Sequence, residues 1–150
     1  TLLLVHWGLL SLPLLYLSAY FEAHRDDYYK LLLAVSERGA WTDWVLFFLR
    51  GVAEQARDAG ARAQNLRQLH ATWRRSLQDA RVFGTSEYLV DLLFEQPIIS
   101  ARQAQERLNT THQTAMAALR RLEALGIVRE ATGRARNQLY VADAVLRIVQ

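Results

Sequence analysis

With 150 residues, half of them hydrophobic, the chain is long enough to bury a real core and too apolar to be disordered throughout. It contains no cysteine, which excludes disulfides and thiolate metal sites and fits a reducing cytoplasm. A formal net charge of +3 permits contact with nucleic acid or an anionic surface without demanding it.

Residues 1–21, TLLLVHWGLLSLPLLYLSAYF, reach the length of a membrane span. Pro13 interrupts the stretch and no basic flank precedes it. Trp7, Tyr16 and Tyr20 are scattered through it rather than gathered at its ends. A buried helix pair, with no membrane partner, is the expectation. One helix runs to Ser11, and Pro13 makes a turn. Ser18 is placed to cap the next helix, whose apolar positions Tyr28, Leu31, Leu32 and Val35 have helical spacing and which Gly39 ends. Asp26-Asp27 reads as a solvated pair at a helix start, favoured by the helix dipole. Thr42 or Asp43 then caps a long helix through Trp44, Phe47, Phe48 and Val52 to about Arg81. Leu66, Leu69, Trp73 and Leu77 keep one apolar stripe along it, as on a spacer or a partner-helix surface. Arg57, Arg62, Arg67, Arg74 and Arg75 alternate with Glu54, Asp58 and Asp79, as on a solvated face that could also lie along DNA.

After Phe83-Gly84 the pattern becomes short, capped elements. Ser86 is expected to cap a helix through Tyr88, Leu89, Leu92 and Leu93, which Pro97 stops. Ser100 caps the next, with Gln103 placed for a capping box and Ala104 and Leu108 inward. Asn109 makes a turn. Thr111 caps a third helix with Ala115, Ala118, Leu119, Leu122 and Leu125 inward, and Gly126 ends it. Ile127-Val128 and Gln138–Val141 read as strands around a hairpin at Thr132–Asn137, and a helix at Asp143–Val149 closes the chain. Helix, helix-turn-helix and hairpin is the winged-helix order.

The words Pro13 with Leu15-Tyr16-Leu17-Ser18, Arg25-Asp26-Asp27-Tyr28-Tyr29, and Gly39-Ala40-Trp41 with Trp44 and Phe47-Phe48-Leu49 resemble the end of the Fic domain over residues 8–57. The resemblance implies a helical domain that transfers AMP from ATP, with Mg, to a hydroxyl of a target protein. In that family a His acts as general base, and a Gly-Asn-Gly-Arg run holds the phosphates and their metal. That loop is absent here; no Met opens the chain, and Thr1 reads as an internal cut just beyond it. The chain therefore carries no catalytic residue, and no cofactor is expected to bind it tightly. The resemblance places Tyr28 and Tyr29 on the nucleotide's base and ribose side, with Ser36 where some relatives have an Asn. The reading of the residues alone is that both tyrosines are packing positions.

The winged helix has two readings, duplex DNA or protein docking. Thr111, His112, Gln113, Met116 and Arg120 would face outward on the third helix, where a recognition helix meets the major groove. Arg134 and Arg136 on the hairpin would reach phosphate. Ala117 stands where many DNA-reading winged helices place a cation. His6, His24, His70 and His112 are too scattered for a metal site.

The expected fold is all-α with a small hairpin: Fic-type helices to residue 50, a connecting helix over 51–83 and a winged helix over 84–150. A homo-oligomer assembled through the apolar face of residues 2–21 is expected, because large exposed apolar patches seek partners.

Overall fold

The computed structural model describes residues 16–134 and 138–149. The chain divides into two compact units between Ala61 and Arg62. Most of the apolar stretch expected to form a helix pair and an oligomer contact, residues 1–15, lies outside the described residues. Among the described residues no helix is long and apolar enough to cross a membrane.

The first unit contains α1 (Leu17–Ala23), α2 (Arg25–Arg38) and the start of α3 (Trp41–Asp79). Ser18 is not a cap: it lies inside α1, whose N-cap is Tyr16. A break at His24 separates α1 from α2, and the His24 ring bonds back to the Tyr20 carbonyl at 3.0 Å. Asp26 and Asp27 occupy the first turn of α2, as expected. Gly39, at φ 65, closes that helix in the left-handed conformation that a side chain resists. The core here is aromatic. Phe21 lies 5.1 Å from Tyr28 and 6.0 Å from Phe47, and Tyr20 lies 5.3 Å from Phe47. Gly51 on α3 makes room for the buried Tyr20 ring: a Cβ at that position would lie 2.5 Å from Tyr20 Cδ1.

The second unit is an all-α domain with a small antiparallel sheet. It comprises the end of α3, α4 (Thr85–Glu95), β1 (Ile98–Ser100), α5 (Ala101–Arg107), α6 (His112–Ala124), β2 (Arg129–Glu130), β3 (Leu139–Val141) and α7 (Asp143–Val149). The sheet order is β1-β3-β2. Ile99 pairs with Tyr140, and Glu130 pairs with Tyr140 from the other side. The hairpin expected from the sequence is thus two strands of a three-stranded sheet. Ile127 and Val128 are core residues just ahead of the ladder rather than strand residues. The stripe on α3 is no free surface. Trp73 and Leu77 are buried in one cluster with Leu89, Leu93, Leu119 and Leu122, and Leu66 and Leu69 pack at its edge.

Local signals account for most of the boundaries. Ser100 Oγ accepts the Gln103 N–H at 3.3 Å, and Gln103 Oε1 accepts the Ser100 N–H at 2.9 Å, the reciprocal capping box. Asn109 turns the chain at φ 46, and Gly126 ends α6 at φ 70. Ser86 departs from expectation. It is fully buried inside α4, and its hydroxyl has no partner among the described residues. Gly84 is the N-cap instead, and its N–H donates to the Glu87 carboxylate at 2.9 Å.

Gly51 and Gly60 lie in the same helix with opposite surroundings, since no described residue approaches within 4 Å of a Cβ on Gly60. Gly60→Ala should raise stability by about 0.5–1 kcal/mol through helix propensity. Gly51→Ala forces the Tyr20 ring aside and should lower it by roughly 1–2 kcal/mol net. Thermal unfolding of the two variants beside the wild type checks both signs.

Candidate nucleic-acid interface

Helices α5 and α6 form a helix-turn-helix, and α6 packs against both α4 and α5. Four positions of α6 point inward: Ala115, Ala118, Leu119 and Leu122 are each no more than 1% exposed. The helical period then turns His112, Gln113, Arg120 and Arg121 to solvent. Thr111 caps the helix, its hydroxyl accepting the Thr114 N–H at 3.2 Å. Met116 is drawn inward. It packs at the edge of the core, and its sulfur accepts the Tyr140 hydroxyl at 3.6 Å. Ala117 is half-buried beside it.

The wing begins at β2. The Glu130 carboxylate accepts from the Thr132 hydroxyl, from the Thr132 N–H at 2.9 Å and from the Gly133 N–H at 2.8 Å. The Thr132 hydroxyl and then the two backbone donors hold the Glu130 carboxyl below its usual range. One side chain therefore shapes the turn that leads to Arg134, which is exposed. Arg136, expected to share the wing tip, lies outside the described residues. Neither Glu130 nor the strand β1 was read from the sequence. Glu130 gives no local cue, because a carboxylate two and three residues ahead of Thr132 and Gly133 reads as an ordinary solvated charge.

Several guanidinium groups of this unit are committed to carboxylates. Arg107 meets Glu95 at 2.7 Å, and Arg102 meets Glu106 at 2.9 Å. Arg129 holds Asp143 with two hydrogen bonds, at 2.9 and 3.1 Å. Arg120, Arg121 and Arg134 have no ion pair among the described residues.

The Arg-rich arm is only in part a solvated face. His70 Nε2 lies 2.7 Å from Asp91 Oδ1, and Arg74 donates to Asp91 Oδ2 at 2.6 Å. Arg74 also lies 3.5 Å from Glu87. These contacts tie the end of α3 to α4. Of the other histidines, His24 is satisfied by the Tyr20 carbonyl, and His6 lies outside the described residues. Among the described residues no group of three His, Asp or Glu side chains could hold a metal.

Tyr28 and Tyr29 lie far from this interface in sequence, on α2. Their rings are 5.3 Å apart, and Arg25 sits over the Tyr29 ring at 5.8 Å. They line a shallow groove with Ser18, Phe21 and Glu22. Tyr28 also packs edge-on against Trp44, so it serves the aromatic core, while Tyr29 is 57% exposed.

Residues 87–140 match the model of a family described as an HTH DNA binding domain. The match covers β1, both helices of the helix-turn-helix and the wing, and stops short of residues 8–57. Among solved structures the chain is similar to one titled "Structure of Disulfide formed AbfR", with 18% identity over 65% of this chain and 74% of that chain and a TM-score of 0.38. A likeness that loose transfers no property from one protein to the other.

Burial raises the Asp91 carboxyl, but hydrogen bonds from His70 and Arg74 outweigh it and hold it below the usual carboxylate value. A depressed folded-state value adds stability above the unfolded-state value, near pH 4, and that stability is lost as pH falls through the folded-state value. Asp91 is 44% exposed, so solvent screens the pair. Asp91→Asn should cost about 0.5–1 kcal/mol at pH 7. The gap from wild type should close as pH falls below about 4, and denaturant unfolding at pH 7 and pH 3 measures both.

Proposed function

We propose that the winged helix of this chain binds duplex DNA, with α6 in the major groove and the wing against the phosphate backbone. The observation that carries this reading is the match of residues 87–140 to an HTH DNA binding domain, on a segment that folds as helix-turn-helix plus wing. Cations on α6 and on the wing with no ion pair among the described residues support it, because phosphate neutralisation supplies most non-specific affinity.

Titration of a labelled duplex at several salt concentrations tests it. Affinity should fall steeply with salt. Arg120→Ala and Arg134→Ala should each weaken every duplex alike and flatten the salt slope by about 0.9. Arg107→Ala, which removes a cation already paired with Glu95, should leave the slope unchanged. Absence of salt-dependent binding at low ionic strength would sink the DNA reading and leave protein docking as the module's role.

A finer reading places the module in a Fic-type protein that transfers AMP from ATP to a target hydroxyl. The resemblance over residues 8–57 supports it, together with the grouping of Arg25 and Tyr29 on one groove. The loop that would hold ATP and Mg does not occur in this sequence, so no step of that chemistry falls to these residues. Incubated alone with Mg and labelled ATP, this chain should attach no AMP to protein; label on any hydroxyl would overturn that division of labour.

A further inference from the structure

The outward side chains at the start of α6 fall into two groups, those already engaged and those open to a ligand. The Thr111 hydroxyl accepts the Thr114 N–H and lies 2.9 Å from the Thr114 hydroxyl, so the two threonines satisfy each other. The Met116 sulfur is taken by Tyr140. Ala117 has no polar side-chain atom. That leaves His112 and Gln113 as the exposed polar side chains of this first stretch without a hydrogen bond or ion pair among the described residues. Arg120 lies seven positions beyond Gln113, about 10 Å along the helix axis, so it meets a different part of any duplex.

The two open side chains differ in what they can read. An imidazole carries its two nitrogens on different edges of the ring, so it offers a flat target one hydrogen bond at a time. A carboxamide carries an acceptor and a donor side by side in one plane. The major-groove edge of adenine presents the complement, the N6 amino donor beside the N7 acceptor. Guanine presents two acceptors there, and the carboxamide can satisfy only one of them.

We propose that Gln113 is the residue through which this chain reads DNA sequence, by a paired hydrogen bond to the N6 and N7 edge of one adenine. This rests on the DNA-binding reading above. Gln113 sets the base preference, while Arg120 and Arg134 supply affinity that is blind to sequence. An exposed side chain with no internal partner can be replaced without disturbing the fold, so its removal should change the preference alone.

Selection from a random duplex library with the full chain and with Gln113→Ala tests this, followed by titration of the recovered site and of a scrambled duplex. The wild type should recover a site with one fixed A·T pair. Gln113→Ala should lose that preference and bind the recovered site about tenfold more weakly, with its affinity for scrambled duplex unchanged. Replacing the fixed adenine by 7-deazaadenine removes N7, and should weaken the wild type but not the variant. Recovery of the same site by Gln113→Ala, or equal weakening of both proteins by 7-deazaadenine, would overturn the assignment. Equal wild-type binding to every duplex would overturn it too while leaving DNA binding intact, and no duplex binding at all would remove both readings together.

Discussion

Helix α6 is held by a face of small and branched side chains, and that burial governs what the rest of the winged helix can present. Ala115, Ala118, Leu119 and Leu122 recur at helical spacing and are sealed from solvent. Alanines at 104, 115 and 118 allow α5 and α6 to approach closely, so the turn between them can be short. Once those four positions are inside, the period of the helix leaves no freedom in which residues point out. Thr111 and Asn109 set where the helix begins, and Gly126 sets where it stops. Tyr140 then couples the sheet to the same helix: it is paired between β1 and β2, almost fully buried, and its hydroxyl reaches the Met116 sulfur.

Charge is arranged around this frame in a way that matters more for the field than for stability. Exposed ion pairs contribute on the order of 1 kcal/mol or less each. The pairs Arg102–Glu106, Arg107–Glu95 and Arg129–Asp143 therefore add little to folding. They do neutralise cations away from the outward face of α6. Arg75 and Arg81 are without an ion pair among the described residues as well, so charge alone does not mark the interface. What distinguishes the proposed interface is charge without an ion pair among the described residues on α6 and on the wing.

Much of this second unit was legible in the sequence because its boundaries are written locally. Ser100 with Gln103, Thr111, Asn109 and Gly126 each act within a few residues, and each does what its spacing implies. In this unit the failures are non-local. Strand β1 exists because Ile99 pairs with Tyr140, more than forty positions later in the chain, and a three-residue run beside Pro97 gives no periodicity to find. Ile127 and Val128 looked like a strand because they are apolar and adjacent, whereas the ladder needs only backbone and falls on Arg129 and Glu130. Ser86 had the right chemistry for a cap, but the packing of α4 took it inside and gave the cap to Gly84. The stripe Leu66, Leu69, Trp73 and Leu77 was visible, yet its partner, the cluster around Leu89 and Leu119, was a tertiary fact. Of the five residues that helical spacing suggested for nucleic acid, Met116 is drawn to the core edge and bonded to Tyr140, and Thr111 is engaged as the cap, tertiary and capping contacts that a helical wheel does not show.

The sparse outward face bounds how selective such a module can be. One bidentate base contact is worth about 1–3 kcal/mol of discrimination, whereas specific recognition over non-specific binding usually amounts to roughly 4–10 kcal/mol. A helix whose outward polar side chains without a hydrogen bond or ion pair among the described residues are His112, Gln113 and two arginines falls at the low end by direct readout alone. Two routes raise the total without adding side chains to α6. A second copy reading a symmetric half-site doubles the number of read positions. A wing with Arg134 against the backbone adds sensitivity to groove width and deformability. The first route makes selectivity depend on assembly and the second makes it depend on DNA shape. Under the proposed DNA-binding reading, one winged helix of this composition falls short of finding a single site unaided, and a second copy or the shape of the DNA must supply the rest.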